Sequence, residues 1–302
     1  MITGAAGFIG SRLTKLMMEA GEDVVGMVYP GEPLDRLSDL LDGISLEECD
    51  LQDGRRTEDV LCSTSPEAVV HLAWYVKPGK YWTSEKNLDC LVQGLSLARA
   101  AVASGCQRFV GAGTCAEYDW AAGPRLVEGE TPCRPQTLYG ACKYALFVAL
   151  GRYLKLTGVR LAWARYNFPY GPGEAAQRFI PSVIDKLSAG EDAPCTQGLQ
   201  MRDFTYVDDV ASATYAILRS DICGAINVAS GEVIRIRDVA NLLSTIIGGP
   251  GKPIFGALAA REGDPASLVP DVRRLREEVQ WSPSTGIEEG LRLTVEAASG
   301  RG

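Results

Sequence analysis

The segment Thr3-Gly-Ala-Ala-Gly-Phe-Ile-Gly10 constrains this chain more than any other. It stands between a short apolar run and a longer helical pattern, where three glycines at this spacing do three jobs. Gly4 permits a tight turn, Gly7 lets the backbone approach a pyrophosphate, and Gly10 lets helix and strand pack closely. The helix that follows points free N–H groups and the positive end of its dipole at the phosphates. A plain tight turn is the other reading of a lone glycine triplet. Its place after a strand and at the start of an apolar helix favours a dinucleotide.

The remaining first half keeps a βαβ rhythm. Strands are expected at Met1–Thr3, Asp23–Val28, Ser45–Glu48, Ala68–Ala73, Gln107–Gly111 and Leu161–Arg165. Helices are expected at Phe8–Ala20, Leu34–Leu41, Thr57–Cys62, Asn87–Ser104 and Tyr139–Thr157. The first strand is short, and a few residues upstream of Met1 are expected. Several strands are apolar throughout, as they are when helices cover both faces of a parallel sheet. After residue 166 the rhythm breaks at Pro/Gly-rich stretches, then resumes with a helix at Val207–Leu218, a strand at Ala225–Val228 and a helix at Ile236–Ile247. The fold class is α/β: a Rossmann-type doubly wound parallel sheet with a smaller, interleaved C-terminal substrate lobe. Residues 1–166 and 203–230 are assigned to the dinucleotide domain, and 167–202 and 231–302 to the lobe.

Bulk properties exclude several function classes. The 302 residues carry a net charge of −8, against a nucleic-acid groove. No apolar run approaches the roughly 18 residues of a membrane span, and the N-terminus lacks a signal peptide's basic region. Nine cysteines without a Cys-x-x-Cys pair fit reduced thiols in a cytoplasm, and His71, the single histidine, cannot build a multi-histidine metal site. No metal is expected.

Tyr139 and Lys143 lie one helical turn apart on one face. A phenol is a poor base at neutral pH, but an adjacent ammonium and a cationic nicotinamide stabilise its phenolate. Thr114, after the fifth strand, can hydrogen-bond a reacting oxygen. All three features belong to the carboxyl edge of the sheet, where such folds bind ligands. The second strand ends Val28-Tyr29-Pro30, with no acid to grip a ribose hydroxyl, which favours NADP(H), with NAD(H) possible. Arg36 is either a 2′-phosphate ligand or an exposed helix arginine, and Asp50 either an adenine contact or a helix cap.

With these residues in place, the chain resembles the extended short-chain dehydrogenase/reductases, the NAD-dependent epimerase/dehydratase type. His71-Leu-Ala-Trp74, Asn87, Thr114 and the Tyr139/Lys143 pair 25 residues later carry the resemblance. Tyr170-Gly-Pro-Gly173, Arg178-Phe-Ile-Pro181, Arg202-Asp-Phe-Thr-Tyr-Val-Asp-Asp209, Asn227-Val-Ala-Ser-Gly231, Trp281-Ser-Pro283 and Gly290-Leu291 extend it across the chain. It implies catalysis by Thr114, Tyr139 and Lys143. It implies cofactor contacts from Gly4, Gly7, Phe8, Ile9, Gly10, Asp50, Leu51, Leu72, Ala73, Tyr139, Lys143 and Tyr166. Nucleotide-sugar contacts are expected from Arg202, Arg261 and Arg178, each otherwise a surface salt bridge, and from Asn167, whose order with Phe168 is exchanged relative to the family. Trp74, Cys115 and Glu117 line the sugar pocket or simply pack. A homodimer through the helices at Asn87–Ser104 and Tyr139–Thr157 is implied.

Dehydratases of this type place Asp-Glu after the catalytic Ser/Thr. Here Cys115 and Ala116 stand there, against dehydration. Cys115 is one residue off the cysteine of epimerase–reductases that move protons beside the ketone, so it reads as a pocket-lining thiol. Trp74-Tyr75, Gly113–Tyr118 and Thr137-Leu-Tyr139 look most like ketosugar reductases of deoxysugar biosynthesis. The expected function is therefore NAD(P)-dependent reduction of a nucleotide-linked 4-keto-6-deoxyhexose, with Tyr139 giving the proton. A nucleotide-sugar 4-epimerase is the alternative, and a non-catalytic dinucleotide-binding protein a third reading.

Overall fold

The computed structural model describes residues 1–300. Seven strands form one parallel sheet: β1 (Ile2–Thr3), β2 (Val25–Val28), β3 (Ser45–Glu48), β4 (Ala68–His71), β5 (Arg108–Thr114), β6 (Arg160–Tyr166) and β7 (Gly224–Val228). Their order is β7-β6-β5-β4-β1-β2-β3. The chain winds outward from β1 through β2 and β3, then returns to β4 and continues the other way. The crevice at that switch, over the carboxyl ends of β1 and β4, is where an open α/β sheet takes ligands.

Side chains alternate along the strands, so each strand feeds two cores. On β6, Leu161 and Trp163 face the layer of α2 (Gly54–Thr64), α3 (Lys86–Ala103) and α4 (Leu138–Thr157). Ala162 and Ala164 face the layer of α1 (Phe8–Glu19) and α6 (Val207–Arg219). Two of these helices start where the sequence supplies a side-chain cap. The Asp53 carboxylate accepts the Arg56 N–H at 3.0 Å to open α2, and the Thr137 hydroxyl accepts the Gly140 N–H at 3.1 Å to open α4. Gly158 closes α4 in the left-handed region, which favours glycine.

A third core lies beyond β6. Ile180, Val183, Ile184 and Leu187 form one stripe of α5 (Phe179–Ser188) and pack against Val239 and Leu243 of α7 (Ile236–Ile247). After the short α8 (Arg273–Glu277), α9 (Ile287–Ser299) adds Leu291 and Val295. Two-residue and three-residue strand pairs stitch this region together, such as Met201–Asp203 antiparallel to Val233–Arg235. No helix among the described residues is long and apolar enough to cross a membrane.

The helices α5, α8 and α9 are additions to those expected, and two expected elements differ in kind or extent. Leu34–Leu41 is not an α-helix but a 3₁₀ helix at Asp35–Leu40, where Leu34, Leu37 and Leu40, three apart, pack on one core. β5 runs on through Gly111, Ala112 and Gly113 to Thr114, although glycine usually weakens strands. The Trp163 ring lies against this stretch, where a Cβ on either glycine would overlap the indole.

Candidate active site

The glycine turn brings the end of β1 onto the end of β4. Gly4 has φ +69°, and a Cβ there would stand 3.0 Å from the Ala73 nitrogen. A Cβ on Gly10 would overlap the Gly4 carbonyl oxygen. Gly7 caps α1 without a side chain, and Phe8, Ile9 and Gly10 open onto a cavity of about 720 Å³. That volume suits a cofactor and a small substrate together. Free N–H groups at a helix start, with no side chain above them, fit the pyrophosphate of a dinucleotide.

Around this turn the wall is made of Asp50 and Leu51 after β3, and Leu72, Ala73 and Trp74 after β4. Asp50 neither caps α2, which Asp53 does, nor is spent elsewhere beyond accepting the Gln52 N–H at 2.9 Å. At the end of β2 a Pro30-Gly31 turn folds Glu32 back. Its carboxylate accepts the Tyr29 N–H at 3.2 Å, and both residues line the cavity. An acid is therefore present where the strand itself has none. Arg36 does not line the cavity; it donates to the Gly173 carbonyl at 2.9 Å.

Thr114 ends β5, while Tyr139 and Lys143 sit in the first turns of α4; all three reach the same cavity, as does Tyr166 at the end of β6. Lys143 is buried, donates to the Ala112 carbonyl at 2.7 Å, and stands 3.8 Å above the Trp74 ring. Burial lowers its ammonium to about 7, against the opposing pull of Glu117. Burial pushes the Tyr139 phenol well above its ordinary range, with the Tyr81 charge adding to this and a hydrogen bond with Thr114 opposing it. Tyr81 and Trp82 meet the Tyr139 ring edge-on, at centroid distances of 4.9 and 5.8 Å. Asn87 holds this wall, donating to the Tyr81 carbonyl at 2.6 Å and accepting Trp74 Nε1 at 2.9 Å.

The far wall is aromatic and cationic. Arg178 covers the Tyr81 ring, Arg261 lies 4.3 Å over Trp82, and neither forms an ion pair among the described residues. Trp120, Phe168, Asp264 and Leu268 complete this side. Cys115 lines the cavity, but burial pushes its thiol up to about 12.

Three expected contacts do not line the cavity. Glu117 is fully buried behind it, accepting from Thr114 N, Trp163 Nε1 and Arg165 Nε. Asn167 is buried and donates to the Arg165 carbonyl at 3.0 Å. Arg202 is buried beneath the wall, its guanidinium held by Asp264 at 2.8 Å and by the Met201 and Pro265 carbonyls. The polar groups of Glu117 and Arg202 are paired inside the protein, whereas Asn167 Oδ1 is buried without a partner. Conversely, Glu32, Tyr81, Trp82, Trp120 and Asp264 line the site without having been singled out. The Pro30-Gly31 turn was the one signal that pointed to Glu32.

The sequence profile of the NAD dependent epimerase/dehydratase family matches residues 1–229. The chain belongs to that family. The UDP-glucose 4-epimerase of Corynebacterium glutamicum is 28% identical over 99% of this chain and 94% of its own length. The dTDP-6-deoxy-L-talose 4-dehydrogenase (NAD(+)) of Aggregatibacter actinomycetemcomitans is 25% identical over 87% of this chain and 96% of its own. Among solved structures, the Thermus thermophilus UDP-glucose 4-epimerase in complex with NAD superimposes with a TM-score of 0.87 at 26% identity, covering 99% of this chain and 98% of that one. The expected preference for NADP(H) is not supported. The solved relative holds NAD, and Arg36 donates to the Gly173 carbonyl at 2.9 Å and the Ala6 carbonyl at 3.5 Å.

Proposed function

We propose that this member of the epimerase/dehydratase family is an NAD(H)-holding nucleotide-sugar 4-epimerase. One observation carries the reading: the two positions after Thr114 offer no acid or base, which leaves proton exchange to Tyr139 and its neighbour Lys143. Cys115 holds its proton to about 12, and Ala116 has none to give. Such a site supports oxidation and reduction at a carbinol, not elimination of water. The same set would serve the ketoreductase expected from sequence. The UDP-glucose 4-epimerase relatives and the Glu32 carboxylate favour a retained NAD over a consumed NADPH.

The bound dinucleotide supplies reversible hydride exchange with the sugar's fourth carbon. The protein's own groups do the rest. Glu32 receives ribose hydroxyls, and the start of α1 receives the pyrophosphate. The Thr114 hydroxyl accepts from Ala116 N at 3.2 Å, which leaves its own proton free for the reacting oxygen. Tyr139 takes the hydroxyl proton during oxidation and returns it once the ketone has turned over. Burial by itself keeps the phenol protonated, and the Lys143 ammonium one turn away would favour phenolate when substrate and cofactor are bound. Arg178 and Arg261 offer unpaired guanidiniums to the nucleotide diphosphate.

The test offers nucleotide-linked 4-hydroxy hexoses to the purified protein and follows epimer formation by NMR. Turnover without net cofactor change, lost in Tyr139→Phe with cofactor binding retained, is the expected result. Stoichiometric NAD(P)H consumption with a 4-keto sugar, and no epimer formation, would replace the epimerase by the reductase.

A further inference from the structure

We propose that Glu117 is a positioning residue that fixes Thr114 opposite Tyr139 and supplies the buried negative charge behind the reacting groups, an inference that rests on the epimerase reading for its kinetics but not for its electrostatics. The geometry is a chain of directed contacts behind the cavity wall. Glu117 Oε1 accepts the Thr114 N–H at 2.9 Å and Trp163 Nε1 at 2.9 Å. Oε2 accepts Arg165 Nε at 2.8 Å. Glutamate and arginine are both almost completely buried. A buried ion pair of this kind contributes little net stability, while the loss of one partner leaves a charge stranded. Its presence beside the reacting groups therefore calls for a role in geometry.

β5 is shaped to admit this carboxylate. A Cβ on Gly113 would stand 2.8 Å from Glu117 Oε1 and 2.7 Å from indole Cδ1 of Trp163. Glycine at 113 thus lets the indole lie flat on the strand and hand its N–H to Glu117. Thr114 is then held twice: its backbone by Glu117, and its hydroxyl by Ala116 N. Arg165 is itself wedged, 4.5 Å over the Tyr118 ring and 3.2 Å from Cys133 Sγ.

The charge also acts on the reacting pair. Lys143 is faced by Glu117, Cys90 of α3, His71 of β4 and the Trp74 ring. Tyr139 is faced by Tyr81, Cys115, Thr114 and Glu117, with Arg178 beyond Tyr81. Of these, Glu117 is the carboxylate, and it favours the ammonium. Replacing it by a neutral group leaves Arg165 unopposed, and both effects lower the pH at which Lys143 gives up its proton.

The experiment compares Glu117→Gln with wild type. Lys143 is titrated by NMR in protein labelled at the lysine side chains, and kcat and KM are measured across pH. The expected result is a downward move of the Lys143 midpoint by about one pH unit. With it goes a fall in kcat of roughly 100-fold, at little-changed KM, as a misplaced reacting group produces. Trp163→Phe, which keeps the ring but loses the N–H that steers Oε1, is the second variant should the first not fold. Its kcat is expected to fall about ten-fold at little-changed KM, since one hydrogen bond of the set is lost. An unmoved Lys143 midpoint in folded Glu117→Gln, or an unchanged kcat in Trp163→Phe, overturns the proposal. If wild type epimerises nothing, the epimerase reading fails by itself, and the Lys143 midpoint alone decides the role of Glu117.

Discussion

Replacing Lys143 by methionine is expected to stabilise the cofactor-free protein at neutral and acidic pH while abolishing turnover. Lysine ordinarily titrates near 10.5, and burial brings Lys143 to about 7. A lysine lowered this far costs the folded state about 5 kcal/mol wherever both states are protonated. The Ala112 carbonyl at 2.7 Å and the Trp74 face at 3.8 Å both favour the ammonium, but they act through the folded midpoint itself, so the net cost stays about 5 kcal/mol. The sign follows from proton counting. Below about 7 folded and unfolded lysine both carry the proton, so the penalty is full. Between about 7 and about 10.5 only the unfolded state does, so stability rises with pH; above that range the penalty is gone. Methionine has no such dependence. Denaturant unfolding of both proteins should show the variant more stable by about 5 kcal/mol near pH 6, with the difference closing towards pH 10. A difference that does not change with pH, or a variant less stable near pH 6, would refute the argument that burial strains this lysine.

Two further outcomes test the cofactor end. Gly10→Ala should fold, by circular dichroism, yet bind NAD at least about ten-fold more weakly, because its Cβ overlaps the Gly4 carbonyl and must push the turn off the pyrophosphate. Equal dissociation constants would remove the close approach from the account. Glu32→Gln should weaken NAD by about ten-fold, the scale of one charged hydrogen bond, while Glu32→Lys should shift the NAD:NADP affinity ratio towards NADP. Calorimetric titration showing an unmoved ratio would take the ribose from Glu32.

The glycine turn, the sheet and the Tyr139/Lys143 pair were legible because each is written locally: three glycines, a period of two, or a spacing of four all fall within one element and its cap. Thr114 lies in another element, and its place after the fifth strand and the family resemblance pointed to it. Glu32 was missed because it reaches the cavity from beyond the strand, around Pro30-Gly31, and a reading that stopped at Tyr29 found no acid. The aromatic wall was missed for another reason. Tyr81 and Trp82 lie in a loop whose position depends on Asn87, and the side-chain amide that holds it gives no periodic signal.

Glu117 and Arg202, expected at the substrate pocket, lie behind its wall, and each is one half of a long-range polar pair. Glu117 meets Arg165 across 48 residues, and Arg202 meets Asp264 across 62. Seen alone, an arginine near the end of such a chain suggests a phosphate, and a glutamate beside a catalytic threonine suggests a pocket wall. Their partners turn both into internal supports. The later landmarks behave the same way. The Asp203 carboxylate accepts the Ser230 and Gly231 N–H groups at 2.9 and 2.7 Å, and Asp209 accepts those of Ser284 and Thr285, both at 3.0 Å. Asn227 accepts the Tyr118 hydroxyl at 2.8 Å and donates to the Leu126 carbonyl at 2.9 Å. These motifs tie the C-terminal elements to the sheet. The groups that face the cavity from that half are few: Phe168, Pro169, Arg178, Arg261, Asp264 and Leu268. Exchange of substrate within such a frame thus needs changes at only a handful of positions, and Arg261 on Trp82 and Arg178 on Tyr81 are the ones whose charge is not already spent inside the protein.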